Sequence, residues 1–84
     1  MKAGEWRDWH LRVLGDLEVL LPRSAPRCAR QELAALRAAV RKARTAAARR
    51  QVERQLNKCA EALRKIRGIR AYAAKVQKKI GAGR

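Results

Sequence analysis

Apolar residues recur every three or four positions along almost the whole of this chain, and that rhythm restricts what it can fold into. Trp6, Trp9, Val13, Leu17 and Leu20 form a first run, with Leu14 and Leu21 widening its face. Ala29, Leu33, Leu36, Val40, Ala43 and Ala47 form a second. Val52, Leu56, Cys59, Leu63 and Ile66 form a third, which Ile69, Ala73, Val76 and Ile80 carry onward. Such spacing puts the apolar residues on one side of an α-helix, whereas a half-buried strand alternates every second residue. Strands also lack material here. β-Branched and aromatic residues are scarce and Phe is absent, while Ala, Arg, Leu, Lys and Gln dominate, all good helix formers. The expected fold class is all-α.

Proline and glycine suggest where the helices break. Glu5 and Asp8 sit in the first turn of the opening helix, where its dipole favours negative charge. Gly15 weakens that helix in its middle. Pro22 stops it near Leu21, because the residue before a proline is pushed out of helical geometry. PRSAP, residues 22–26, reads as a connector, with Ser24 as the best N-cap by chemistry and Pro26 in the first turn of the second helix. That helix is expected over about 25–46. From Ala47 to Val52 the rhythm slips to five residues, which one straight seam cannot absorb. An unbroken helix from Ala25 to Ile66 would run about 60 Å, too long for a small monomer to cover. A tight turn near Thr45–Arg49 is therefore expected, although no Gly or Pro marks it.

The last helix is expected over about 50–80, continuous through Gly68; a glycine C-cap followed by a new short helix is the rival reading. Gly81 and Gly83 should end it and leave a frayed tail, 81–84. The chain of 84 residues is thus expected to form a single domain. Its architecture would be a small antiparallel three-helix bundle. Equally, it would be a basic hairpin over 23–84 joined to a neutral, Trp-bearing helix over 1–22, with coiled-coil-like seams.

Charge speaks about partners. Twenty-two basic residues face seven acidic ones, a net +15. The excess is uneven. Residues 1–21 carry Lys2, Arg7 and Arg12 against Glu5, Asp8, Asp16 and Glu18, a balance of −1. The remaining nineteen basic groups face only Glu32, Glu53 and Glu61, a balance of +16. A surplus of this size implies a polyanionic partner. Arg23, Arg27, Arg30, Arg37, Arg41 and Arg44 follow one another at helical spacings and line one stripe of the second helix. Arginine offers a planar fork of donors that matches phosphate oxygens in two-point contact. Arg49, Arg50, Arg54, Lys58, Arg64, Lys65, Arg67 and Arg70 spread over the surface that the third apolar stripe leaves free, and Lys75, Lys78, Lys79 and Arg84 prolong it. A diffuse positive face suits sugar–phosphate contact better than base reading. Tyr72 is the only aromatic residue in the basic region, as ready to edge the core as to stack on a base.

The expected function is therefore binding of structured RNA, or else DNA, through phosphates, as a component or assembly factor of a ribonucleoprotein of ribosomal or nucleolar type. The alternative is a coiled-coil module for an acidic protein. Trp6, Trp9, Val13 and Leu17 are candidates for a protein interface, since Trp is enriched in interface hot spots; their other use is packing against the basic helices. Self-association is compatible with the seams. Membrane binding is disfavoured, because the apolar faces of the basic helices are Ala-rich and no run is long enough to span a bilayer. The N-terminus has early acidic residues and no apolar segment of secretory type, so a nuclear, nucleolar or cytoplasmic location is expected. Cys28 and Cys59 lie far apart without a CxxC, and a single His leaves too few zinc ligands. Two reduced, partly buried thiols are expected. Neither a catalytic set, a phosphate-binding glycine loop nor a cofactor signature is present, so no enzyme is expected.

Overall fold

The computed structural model describes residues 2–82 and is helical throughout its regular structure. There are four helices, not three: α1 (Ala3–Leu20), α2 (Arg27–Lys42), α3 (Ala46–Leu63) and α4 (Arg70–Ala82). Each packs on the next in chain order, and α4 returns to α1, closing a ring around one core. Side-chain contacts fix the directions. Trp6 reaches Glu53 while Tyr72 reaches Asp16, so the start of α1 lies beside the first half of α3 and its end beside the start of α4. Short connections between antiparallel neighbours follow.

α1 ends where expected. Leu21 is extended, with φ −65° and ψ 122°, as Pro22 requires. No basic residue of its own balances the last turn of α1. Arg30 supplies that charge from α2, its Nη2 donating to the carbonyls of Leu21 at 3.4 Å and Pro22 at 3.2 Å. The connector differs from expectation in its cap: Pro26, not Ser24, holds the N-cap position of α2, without a side-chain bond.

α2 is shorter than the expected 25–46. It stops at Lys42, because Ala43 is extended and its buried side chain turns into the core. Thr45 then starts α3, its Oγ1 accepting from the N–H of Ala48 at 3.1 Å. The turn thus occupies residues 43–45, slightly before the expected place. Ala47 consequently belongs to α3 and is exposed, so it is not part of the α2 seam.

The expected continuity through Gly68 is overturned. α3 ends at Leu63, Gly68 adopts φ +97°, and a new helix begins at Arg70. Only glycine enters that left-handed region without strain. Tight turns cover the gap, and Arg70 Nε donates to the carbonyl of Arg64 at 2.8 Å. Ile69, fully buried, plugs the core just beyond the turn. α4 extends through Gly81 to Ala82; the remainder of the expected tail, 83–84, lies outside the described residues.

The core draws on all four helices. Leu14, Leu17, Leu33, Val40, Leu56 and Ile69 are its largest fully buried side chains. Truncating one of these leucines to Ala would remove about 2–5 kcal/mol. Leu14 and Leu21, expected to widen the face of α1, are buried, whereas Leu20, expected in its main run, is 42% exposed.

Candidate nucleic-acid interface

The basic residues divide into those that the fold uses and those it leaves to solvent. Arg30 caps α1, and Arg37 is ion-paired with Glu18 of α1. The six-membered arginine stripe of α2 is therefore interrupted: two of its members knit α2 to α1. Arg49 is half-buried, its guanidinium 6.0 Å from the centroid of the Trp6 ring. These three are poorly placed to meet a partner. Arg23, Arg27, Arg41 and Arg44 remain exposed.

Along α3 the pattern is different. Arg50, Arg54 and Lys58 are exposed and spaced by four, so they share one outward face. Arg54 donates to Gln51 at 2.6 Å, a neutral partner that leaves its charge intact. Continuing past α3, the α3–α4 connector exposes Arg64, Lys65 and Arg67, and Arg70, also exposed, opens α4. Arg64 donates to Gln77 at 3.1 Å and lies 3.7 Å from Glu61. At the other end, Arg41, Lys42 and Arg44 flank the α2–α3 turn. Arg41, Lys42, Arg44, Arg50, Lys58, Lys65 and Arg67 have no carboxylate partner among the described residues. The result is a band of positive charge that begins at one end of the molecule, runs down α3 for about 27 Å and ends at the other.

Glu53 and Glu61 share α3 with this band, and several acidic side chains of the fold are engaged. Glu53, one turn from Arg49, accepts from Trp6 Nε1 at 3.2 Å. Glu61 accepts from Gln77 at 2.7 Å. Asp16 accepts from the Tyr72 hydroxyl at 2.8 Å.

Three of the expected protein-interface residues are interior. Trp6, Val13 and Leu17 are buried in the core of this chain, and only Trp9 is half-exposed. Trp9 lies in a groove between α1 and α4 of about 180 Å³, lined also by Arg12, Val13, Tyr72, Lys75, Val76 and Lys79. This pairing of two aromatic rings with three cations escaped sequence reasoning, because Trp9 and Tyr72 are far apart in the chain. Burial, together with the hydrogen bond to Asp16, pushes the Tyr72 phenol up to about 12.

Cys28 and Cys59 are both free thiols. Cys28 is exposed, against the expectation of partial burial, and Cys59 is buried. Both line an apolar groove of about 220 Å³ between α2 and α3. Burial, assisted by Glu32, raises the Cys59 thiol to about 11, so it stays protonated and unreactive near neutral pH. Among the described residues, no three His, Cys, Asp or Glu side chains are grouped to hold a metal ion. None of the helices is long and apolar enough to cross a membrane, again among the described residues.

Comparison with known protein families, curated proteins and solved structures finds no match to this chain.

Proposed function

We propose that this protein binds structured RNA through its sugar–phosphate backbone, as a component or assembly factor of a ribonucleoprotein. The observation that supports this most is the band from Arg41 through Arg50, Arg54 and Lys58 to Lys65, exposed and, among the described residues, not ion-paired. An ordinary solvated helix face mixes signs, because opposite charges one turn apart stabilise it. On this helix the exposed cations outnumber the two carboxylates, Glu53 and Glu61. Cations held one turn apart on a rigid rod can each meet a phosphate, releasing its counterions. Arginines add two-point contact. The connector arginines and lysines enlarge the contact without adding sequence information, which suits recognition by shape.

The test is replacement of Arg50, Arg54 and Lys58 by Gln. These side chains are exposed, so the helices should persist. Affinity for a blunt RNA duplex, followed by fluorescence anisotropy across a salt series, is expected to fall. The slope of log affinity against log salt should drop by about one unit per lost contact. An unchanged slope would remove α3 from the interface. Co-purification of an acidic protein, with no duplex bound at ~50 mM salt where phosphate contacts are strong, would favour the protein-interaction alternative.

A further inference from the structure

Backbone contact leaves the α1–α4 groove unexplained. Its floor is apolar, formed by Val13 and Val76, both buried. Its walls carry the rings of Trp9 and Tyr72. Its rim carries Arg12, Lys75 and Lys79, all exposed, and no carboxylate lines it among the described residues. The nearby Asp16 is occupied by the Tyr72 hydroxyl, which steadies that ring. Trp9 is steadied in turn by the edge of His10, with ring centroids 4.6 Å apart. A volume of about 180 Å³ is well below that of sites for drug-sized molecules and leaves room for one flat ring system.

We infer that this groove receives one unpaired nucleotide of the bound RNA, its base against Trp9 and Tyr72 and its phosphate among Arg12, Lys75 and Lys79. This rests on the phosphate-binding reading above. Stacking on aromatic rings set among cations is how unpaired bases are held, because every base has a π-face. RNA supplies such bases at bulges and loops. The groove is also continuous with the basic surface. Gln77 of α4 faces α3, Lys75 and Lys79 face the groove, and Lys78 is exposed on the outer surface between them. A strand could thus pass from the α3 band across α4 into the groove on positive ground.

The experiment compares a fully paired RNA duplex with the same duplex carrying one bulged nucleotide. The full chain is tested beside Trp9→Leu, Tyr72→Leu and Tyr72→Phe, with helix content and Tm recorded for each. The unaltered protein is expected to bind the bulged duplex about tenfold tighter. Trp9→Leu and Tyr72→Leu should erase that preference while leaving the paired duplex bound, and Tyr72→Phe should keep it. If Trp9→Leu does not fold, the two Tyr72 variants decide the matter, because they differ in the ring that stacks. Equal affinity of the unaltered protein for both duplexes overturns the groove assignment and leaves the phosphate band standing. Binding of neither duplex overturns the band, and the groove assignment with it. A free nucleoside monophosphate that binds as tightly as the bulged duplex would make the occupant a free nucleotide and overturn the strand assignment.

Discussion

Among the described residues, His10 is the buried polar side chain of this fold. It is 3% exposed, and its ring lies against both Trp6 and Trp9. Its Nδ1 donates to the carbonyl of Trp6 at 2.7 Å, so that nitrogen carries the proton. Nε2 is then a bare acceptor, buried without a hydrogen-bond partner among the described residues. Burial holds its pKa below the ordinary 6.5, despite opposing contributions from the Trp6 carbonyl and Glu53. The unfolded chain takes up this proton more readily than the folded one. Stability is therefore complete above pH 6.5 and declines as pH falls below it, toward the lowered folded value. Thermal melts at about pH 7.5 and about pH 5.5 should show the loss, and His10→Gln should flatten it, because this is the one histidine of the chain. A variant that keeps the full pH dependence would place its origin elsewhere.

The helices show which signals were legible. Periodicity gave most of their residues but not their number, which is four and not three. Two boundaries were missed for local reasons. Thr45 was expected to open the turn, but by side-chain chemistry it closes it, as the N-cap of α3. Gly68 was read through because Ile66 and Ile69 keep the helical spacing on either side of the turn. Both sides face one core, so the rhythm survives the break. The two mid-chain glycines, Gly15 and Gly68, now make opposite predictions. A Cβ at Gly15 would meet only the Arg37 guanidinium, at 4.0 Å, an ordinary contact. Gly15→Ala should therefore stabilise the protein by about 0.5–1 kcal/mol through helix propensity. At Gly68 a Cβ has open space, but φ +97° strains any other residue. Gly68→Ala should cost about 1–2 kcal/mol. Denaturant melts of both variants check the signs; a neutral Gly68→Ala would contradict the turn.

At the scale of the molecule, the sequence revealed the surplus of charge but not its distribution. Arg30 and Arg37 belong to the stripe expected to meet phosphate and are tied to α1 instead, because spacing cannot say which helix lies alongside. The Trp9–Tyr72 groove was hidden for the same reason. A net +15 on 84 residues also opposes compaction by self-repulsion. Added salt screens that repulsion within about 10 Å at 0.1 M. Tm followed by circular dichroism should therefore rise by several degrees between ~50 mM and ~500 mM NaCl. A falling Tm would mean that ion pairs such as Arg37–Glu18 outweigh the repulsion.

The α3 cations have one further consequence. Arg50, Arg54 and Lys58 stand on a single rod, so their anchor points are graduated at intervals of about 6 Å that neither bending nor rotamer choice can much alter. The protein is in that respect a ruler. A limp polyanion would fold itself to the marks, whereas a stiff one would engage only where its own charges fall in step with them.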